Sequence, residues 1–325
     1  MSELRWNPLL EEWVVTATHR QERTFFPPAG YCPLCPTKPG GFPTEVPAPD
    51  YDVVVLQNKF PSFRPEPGAP GVDGHPLTPV LPAGGVCEVV LYSPQHDTTL
   101  ARLGRDTVYK LVQVWQDRFR ELGAQPGVDY VFIFENRGVE VGVTLTHPHG
   151  QIYGFPYVPP IPQRELAAME RHWYRTHRCL LCELLERERA DERRLMSEFE
   201  GFHVLVPFYA RFPYEVHVVP ERHVGSLLDM DADEQWGLAG AIHDVIVRYD
   251  ALYDSVMPYM MVLHQDPTDG GSYPYHHFHV EFYPLRRSAG KLKYRAGCET
   301  GAGTFITDAL PEDWAEDLRR ALPTV

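Results

Sequence analysis

The sequence has little positive charge for its length. Its 325 residues include 30 Lys and Arg against 44 Asp and Glu, which gives a formal net charge of −14 at pH 7. A protein that binds nucleic acid or an anionic membrane surface needs a surplus of Lys and Arg to contact the phosphate groups. We therefore expect no nucleic-acid partner and no membrane partner. A small phosphorylated substrate is compatible with this charge, because it needs only a few local donors.

Long hydrophobic runs are missing as well. Residues 1–13 lack the basic start and the apolar run of a signal peptide. No stretch of the chain approaches the roughly 18 apolar residues that a membrane helix needs. These absences predict a cytoplasmic protein. The composition, with 43% hydrophobic and 23% charged residues, predicts an ordered chain that can bury a core.

Cysteine is scarce, with six in the chain. In a reducing cytoplasm, paired cysteine spacings indicate metal binding rather than disulfide bonds. Four of the six form two CxxC pairs, which are Cys32 with Cys35 and Cys179 with Cys182. The other two, Cys87 and Cys298, follow no such pattern, and we interpret them as packing residues.

The same order of landmarks occurs twice along the chain. Each CxxC pair is followed by a short apolar strand, a His, an amphipathic helical stretch, a second apolar run and a His-x-His triplet. In the first half, the helical stretch is 108–122, the second apolar run is 130–134 and the triplet is 147–149. In the second half, the same features are 233–249, 259–263 and 277–279. This repeated order indicates a duplication.

The duplication predicts an α+β fold of two similar halves, each a mostly antiparallel sheet with helices. The proline-rich segment 156–162 marks the boundary between the halves. We therefore expect an N-terminal half over residues 1–160 and a C-terminal half over residues 161–325.

Each half supplies two cysteines and two histidines, a set that binds zinc tetrahedrally. A CxxC turn lets two thiolates face one ion, and histidines from distant strand ends complete the site. The first predicted set is Cys32, Cys35, His96 and His147, and the second is Cys179, Cys182, His223 and His277. The alternative is that these are buried thiols and ordinary core histidines. The matched order of the two sets favours zinc at both.

A different metal cluster competes with the second zinc set. Its residues would be Glu165, His264, His279 and Glu281. Two carboxylates in one set would select a harder metal such as iron. We keep this cluster as the alternative to zinc at the second CxxC pair, which has the repeat in its favour.

The segment His147-Pro148-His149-Gly150-Gln151 carries the chemistry. A neutral imidazole, with an unperturbed pKa of about 6.5, is a competent nucleophile near pH 7. Its attack on phosphorus would give a phosphoramidate, whose reactive N–P bond suits onward transfer. On a regular strand His147, His149 and Gln151 share a face, so that His147 serves the metal while His149 faces substrate. Gly150 would let a phosphate approach the backbone.

The residue Gln151 favours transfer over hydrolysis. Its amide can donate a hydrogen bond to a phosphoryl oxygen, but it cannot act as a general acid or base. A histidine at this position could activate water instead. The competing interpretation is a metal-binding or structural His-x-His in a zinc-stabilised nucleotide-binding or scaffold protein without catalysis. Nucleotide trapped on His149 would exclude that interpretation.

These residues resemble the galactose-1-phosphate uridylyltransferase family, which belongs to the histidine-triad superfamily and is a fused duplicate of its half-size unit. The resemblance rests on the HPHGQ motif, on Cys32 and Cys35, and on the segments 93–96 and 136–138. It extends over nearly the whole chain. It implies a ping-pong reaction, in which UDP-glucose uridylylates the second histidine of the motif and galactose 1-phosphate then takes the uridylyl group.

The resemblance also implies roles for further residues. His149 would be the nucleophile, and Gln151 would stabilise the intermediate. Residues at the family's substrate-binding positions are Arg20, Arg23, Asn58, Asn136 and Thr144, together with Lys293 and Glu299, which fall where the family contacts the sugar phosphate across a dimer interface. We therefore expect a homodimer that uses UDP-glucose and galactose 1-phosphate.

Three departures from the family bear on the metals and substrates. The second CxxC pair resembles a related branch with two zinc sites, which includes an adenylyl-transferring sugar-nucleotide phosphorylase. Glu281 stands where the family carries a histidine in an iron-type cluster, and Phe305 stands where a sugar-contacting glutamine is expected. A related adenylyltransferase or phosphorylase is thus the alternative function. Comparing UDP-glucose with ADP-glucose as the donor would separate the two.

Overall fold

The protein is described from a computed structural model, which covers residues 2–23, 27–28, 30–253 and 255–322, without the side chains of residues 22 and 23. The strands are β1 (Ser2–Asn7), β2 (Glu12–Ala17), β3 (Val54–Gln57), β4 (Val80–Pro82), β5 (Val86–Leu91), β6 (Tyr130–Arg137), β7 (His149–Phe155), β8 (Leu195–Phe199), β9 (Phe202–Leu205), β10 (Val216–Pro220), β11 (Tyr259–His264), β12 (His279–Pro284), β13 (Arg286–Ser288) and β14 (Lys291–Leu292). The α-helices are α1 (Leu100–Leu103), α2 (Arg105–Gly123), α3 (Pro160–Thr176), α4 (Leu180–Asp191), α5 (Ala232–Leu252), α6 (Gly297–Gly301) and α7 (Pro311–Arg320). Short 3-10 helices span Thr18–Arg23, Val139–Val141 and Leu227–Asp229.

One sheet of nine strands organises the molecule. Its order is β3-β5-β7-β6-β11-β12-β10-β9-β8, and neighbouring strands run antiparallel. The sequence predicted a sheet in each half, and the structure joins the two through β6 and β11, which pair from Ile133 with Leu263 to Arg137 with Tyr259. Two small antiparallel sheets, β2-β1-β4 and β13-β14, complete the strands. The predicted α+β class with mostly antiparallel strands is confirmed.

The strand order is mirrored about the β6–β11 pair. Outward from the centre, one side reads β6-β7-β5-β3 and the other reads β11-β12-β10-β9. In the first half the chain forms β5, then the central strand β6, and then β7, which lies between them. In the second half it forms β10, β11 and β12 in the same spatial order. Duplication of a half-size unit would produce this shared strand order.

Two long helices cover the core, and both were predicted from periodicity. The stretch 108–122 lies within α2, whose buried residues include Val108, Leu111, Val112 and Trp115, at the spacing of one helix face. The stretch 233–249 lies within α5, which packs against α2, α7 and the strands β8 to β10 and is therefore buried over most of its length. Among the described residues, no helix is both long and apolar enough to cross a membrane.

A capping box stabilises the start of helix α5. The Asp231 side chain accepts a hydrogen bond from the backbone N–H of Glu234, and the Glu234 side chain accepts one from the N–H of Asp231. This capping box satisfies two backbone donors that lack partners within the helix, and an N-cap of this kind contributes about 1 kcal/mol.

The glycine of the HPHGQ segment is required by packing inside the protein. A Cβ atom on Gly150 would lie 2.1 Å from the hydroxyl oxygen of Tyr92 and 3.2 Å from the carbonyl oxygen of Phe134. Tyr92 is fully buried. The sequence suggested that Gly150 leaves room for a phosphate, but the nearest neighbour of the added atom is a buried tyrosine.

We predict that Gly150→Ala lowers the free energy of unfolding by about 1–3 kcal/mol, because an overpacked core must displace either Tyr92 or the strand. Urea unfolding of the purified protein measures the loss. Tyr92→Phe in the same chain removes the closest atom and should recover part of it. Gly68→Ala is the control, since its added Cβ meets no atom within 4 Å. Equal destabilisation by both glycine substitutions would contradict the prediction.

Candidate active site and metal clusters

Strand β7 carries the two residues with predicted catalytic roles. It begins at His149, so that His149 and Gln151 point to one side of the sheet and Gly150 points to the other. The regular strand assumed from the sequence does not extend back to His147, which lies in the preceding bend. Because of this bend, the His147 side chain joins a group of four possible metal ligands, while His149 faces a cavity.

The cavity beside β7 has a volume of about 420 Å³. Five of the predicted site residues line it, and they are Asn58, Asn136, Thr144, His149 and Gln151. Leu56, Phe60 and Val89 form an apolar part of the wall. Apolar walls with a few convergent polar groups are typical of a site for a small organic ligand.

A second cavity, of about 280 Å³, adjoins the first and shares Asn136 and His149 with it. Its lining includes Arg102 and Arg137. The guanidinium of Arg137 is paired with Asp250, at 2.8 Å. The imidazole of His149 therefore lies at the junction of two cavities, where it can reach a group placed between them.

The hydrogen bonding of His149 leaves one ring nitrogen available. Its Nδ1 lies 2.7 Å from the backbone carbonyl oxygen of His147. A carbonyl oxygen can only accept, so Nδ1 carries the proton and Nε2 keeps its lone pair. Burial lowers the pKa of His149 below its ordinary value, and the ring is consequently neutral at pH 7. A neutral ring with a free lone pair is what nucleophilic attack requires.

The amide of Gln151 is buried and contacts two neighbours through its oxygen. Nδ2 of Asn58 lies 3.4 Å from Oε1 of Gln151, and the hydroxyl of Tyr153 lies 3.3 Å from the same atom. The amide nitrogen is thus the end that remains for the cavity. The sequence did not single out Tyr153, although it follows Gln151 on the same side of β7.

The first predicted metal set comes together. The ligand atoms of Cys32, Cys35, His96 and His147 all lie within 4.8 Å of one another. Nε2 of His147 lies 2.8 Å from the carbonyl oxygen of Ser93, so Nε2 holds the proton and Nδ1 is free to bind a metal. The Tyr51 hydroxyl contacts the same two atoms, at 2.8 Å from Nε2 and 2.6 Å from the carbonyl oxygen. Burial lowers the pKa of His147 to about 4, which keeps the ring neutral.

The second predicted set has the same geometry. Its residues are Cys179, Cys182, His223 and His277, and their ligand atoms also lie within 4.8 Å of one another. Nδ1 of His277 lies 3.6 Å from Sγ of Cys179 and 3.3 Å from Sγ of Cys182. Nε2 of His277 lies 3.1 Å from the carbonyl oxygen of Pro220, which corresponds to Ser93 in the first half. In both sets, therefore, two cysteine sulfurs and the Nδ1 atoms of two histidines face one another.

The set that the sequence offered as a rival is also assembled, as a separate third cluster. Its residues are Glu165, His264, His279 and Glu281, with ligand atoms within 4.8 Å of one another. Oε2 of Glu165 lies 2.7 Å from Nδ1 of His264, yet neither atom makes an aligned hydrogen bond within the described chain. Buried polar atoms without hydrogen bonds need a partner such as an ion. The two metal hypotheses for the second half are therefore geometrically compatible and need not exclude each other.

Residues around Glu281 were not identified from the sequence. Nε2 of His217 lies 3.2 Å from Glu281 and 3.1 Å from Glu215, and Nη2 of Arg211 lies 3.2 Å from Glu281. The Arg211 guanidinium and the His217 ring thus lie against the carboxylates of Glu281 and Glu215, which would otherwise be buried without a polar partner.

Of the two predicted arginines, Arg20 contacts the neighbour of Gln151, Tyr153. Arg20 lies in the 3-10 helix Thr18–Arg23, where its Nη1 contacts the hydroxyl of Ser62 and lies 3.5 Å from the hydroxyl of Tyr153. Arg23 ends the same helix, and its side chain lies outside the described part of the structure.

The predicted sugar-phosphate residues lie away from His149 within one chain. Nζ of Lys293 lies 2.7 Å from Oε1 of Glu299, and neither residue lines the two cavities that meet at His149. The Lys293 ammonium and backbone N–H groups, including that of Ala296, lower the pKa of Glu299 to about 2, so its carboxylate is charged at neutral pH.

Comparison with known proteins agrees with this site. Residues 1–159 match the family model for the N-terminal domain of galactose-1-phosphate uridyl transferase, and residues 165–325 match the model for its C-terminal domain. A galactose-1-phosphate uridylyltransferase of Thermotoga maritima is 44% identical over 323 residues, which cover 98% of each chain. The corresponding protein of Rattus norvegicus is 33% identical and matches 99% of this chain and 88% of its own length.

Solved structures agree as well. One described as a uridylyltransferase superposes with a TM-score of 0.88 at 35% identity, covering 98% of both chains. An ADP-glucose phosphorylase from Arabidopsis thaliana shares the fold at a TM-score of 0.73, with 22% identity and 98% of both chains covered. Since both domain models together match nearly the entire sequence, the chain belongs to the galactose-1-phosphate uridylyltransferase family, a family of nucleotidyltransferases.

Proposed function

We propose that this chain transfers UMP from UDP-glucose to galactose 1-phosphate through a covalent bond to His149. In the first step, Nε2 of His149 attacks the phosphorus that bears uridine, an N–P bond forms and glucose 1-phosphate leaves with the bonding electrons. In the second step, a phosphate oxygen of galactose 1-phosphate attacks the same phosphorus, the N–P bond breaks and UDP-galactose leaves. The free Nε2 lone pair of His149, beside the Gln151 amide, is the observation that carries this proposal.

The surroundings of His149 suit a substrate that has a nucleoside at one end and a sugar phosphate at the other. The first cavity offers apolar walls and amide groups for a nucleoside, and the second offers Arg102 for the sugar-phosphate end, since Arg137 is already paired with Asp250. We assign Asn58, Asn136 and Thr144 to substrate binding, with Gln151 stabilising the intermediate. Arg20 lines neither cavity, so the assignment of Arg20 and Arg23 to the phosphates and the base rests on the family resemblance.

We further propose that the chain acts as a homodimer. Lys293 and Glu299 do not line the cavities at His149 in their own chain, so a role of this pair in binding a sugar phosphate would require a site on a second copy. The two halves, 1–160 and 161–325, would then be duplicated histidine-triad-like units, of which the first carries out the transfer.

For the metals, we propose zinc at both Cys2His2 clusters. Two thiolates favour zinc over ions that prefer oxygen ligands, and four protein ligands leave no open position for Lewis-acid chemistry. Zinc would therefore stabilise the fold, and in the first half it would hold His147. The third cluster, with two carboxylates and two imidazoles, suits a harder ion such as iron.

We predict that His149→Ala abolishes both half-reactions, with kcat falling by at least about 10⁴-fold, because loss of a nucleophile removes the covalent route. Incubation with UDP-glucose labelled in the uridylyl phosphate should leave acid-labile label on the wild-type chain and none on the variant. His75→Ala, at an exposed histidine outside both cavities, is the control. A wild-type chain that never takes up label, or that labels only with ADP-glucose, would refute the proposed activity.

We predict that Gln151→His raises hydrolysis relative to transfer, because an imidazole can act as a general base towards water, an effect worth about 10²-fold or more. The measurement is the decay of the labelled intermediate in the absence of galactose 1-phosphate. Gln163→His, on the exposed side of α3, controls for an added histidine. If transfer falls and the labelled intermediate does not decay faster, Gln151 does not protect the intermediate from hydrolysis.

We predict that the purified protein contains two zinc ions per chain and that Cys179→Ser reduces this to one. The melting temperature should fall by a few °C, on the order expected when a structural site loses its ion. Cys298→Ser, at an exposed cysteine outside the clusters, should keep both ions. Iron that persists in Cys179→Ser would be assigned to the third cluster. One zinc with one iron, both unaffected by Cys179→Ser, would contradict zinc at the second CxxC pair.

A further inference from the structure

A short chain of polar contacts ends on the Gln151 amide. Nη1 of Arg20 lies 3.5 Å from the hydroxyl oxygen of Tyr153, and that oxygen lies 3.3 Å from Oε1 of Gln151. We propose that Tyr153 is a positioning residue, whose hydroxyl donates to Gln151 Oε1 and so turns the amide N–H groups toward the phosphoryl group on His149. The inference rests on the proposed function, because it gives Gln151 the orientation that function needs.

The chemistry of the donors fixes the direction of these contacts. A guanidinium has N–H donors and no acceptor, so the Tyr153 oxygen can only accept from Arg20. The Tyr153 hydroxyl can then donate its single proton to Oε1 of Gln151, at the 3.3 Å contact between the two atoms.

An independent contact gives the same orientation. Oδ1 of Asn58 accepts a hydrogen bond from the backbone N–H of Phe60, at 2.9 Å. The amide nitrogen of Asn58 is therefore the atom 3.4 Å from Gln151 Oε1. Two donors converge on the same oxygen of Gln151, and its Nε2 is the end left facing the cavity.

The second half of the chain contains a similar arrangement, in which the arginine also contacts the acceptor directly. In β12, Tyr283 follows Glu281 as Tyr153 follows Gln151 in β7, and each acceptor stands two positions after the first His of its strand. Nη2 of Arg211 lies 2.9 Å from the Tyr283 hydroxyl, and this hydroxyl contacts Oε2 of Glu281. An ionised carboxylate only accepts, so Tyr283 must donate to it. The duplicated fold thus has an arginine–tyrosine–acceptor chain with one direction in both halves.

The orientation matters because an amide has two different ends. The N–H groups can stabilise the charged oxygens of a phosphoryl group, whereas the carbonyl oxygen would repel them. The terminal torsion of a glutamine is broad and roughly two-fold, so packing alone does not select one end. Without the Tyr153 hydroxyl, Gln151 would spend part of its time with the wrong end toward the substrate.

The substitution Tyr153→Phe removes the hydroxyl and keeps the ring. The ring packs against Phe134 and Phe155, with centroids 5.1 and 6.1 Å away, and against Phe63 at 6.3 Å. A phenylalanine preserves these contacts, so the fold should survive. Tyr157→Phe is the matched control, because Tyr157 also packs on Phe155, at 5.8 Å, and lines neither cavity at His149.

The experiment measures single-turnover labelling of His149 by UDP-glucose in five proteins: wild type, Tyr153→Phe, Gln151→Ala, the double variant and Tyr157→Phe. Loss of one hydrogen bond predicts a labelling rate about 3- to 10-fold lower in Tyr153→Phe, with KM for UDP-glucose within about twofold of wild type. The double variant should match Gln151→Ala within about twofold, because Tyr153 acts only through Gln151. Tyr157→Phe should match wild type.

The outcomes separate the inference from the function on which it rests. An equal loss from Tyr153→Phe in both backgrounds, a raised KM with an unchanged rate, or no loss at all would overturn the positioning role alone. A wild-type chain that takes up no label would overturn the proposed function and the inference with it.

Discussion

The hydrogen bond from Nδ1 of His149 to the carbonyl oxygen of His147 determines which nitrogen can react. At 2.7 Å it fixes the tautomer of the imidazole and leaves the Nε2 lone pair in the cavity. The position of that carbonyl depends in turn on the His147 side chain, which is held between the first metal cluster and the carbonyl oxygen of Ser93. A metal that takes no part in the chemistry would thereby act on the nucleophile, since losing it would loosen the backbone that orients His149.

The fold followed from the sequence where local pattern was enough. Apolar periodicity identified α2 and α5, and short apolar runs identified β6 and β11. The pairing of β6 with β11 was not predicted, because it joins strands far apart in the chain and no local pattern specifies which edges meet. The same limitation applied to the metals. The second CxxC set and the Glu165 cluster were treated as rivals, since a sequence contains no distances that would separate them into two places.

The sequence identified the residues that the structure gathers in the two Cys2His2 groups and at the cavity beside β7, but not the residues that hold them in place. Tyr51 and Tyr153 were not identified, because a tyrosine within or shortly before an apolar strand is typical of a packing residue. One signal for Tyr153 was present in the repeat: Gln151-Ile152-Tyr153 and Glu281-Phe282-Tyr283 place a tyrosine after an acceptor in both halves. Arg211 and His217 gave no such signal, because their role depends on a carboxylate whose burial only the fold reveals.

The two halves differ at a position where an amide and a carboxylate have opposite effects. In both, Nδ1 of the strand's first histidine bonds to a carbonyl oxygen, at 2.7 Å for His149 and 2.9 Å for His279. Beside His149 stands an amide that can donate to a phosphoryl oxygen; beside His279 stands Glu281, 3.6 Å from Nε2, whose charge would repel one. The carboxylate instead suits a cation shared with Glu165 and His264. One duplicated framework can therefore serve phosphoryl transfer in the first half and metal binding in the second. The difference depends on whether the side chain at the third position of β7 or β12 is an amide with N–H groups or a negatively charged carboxylate.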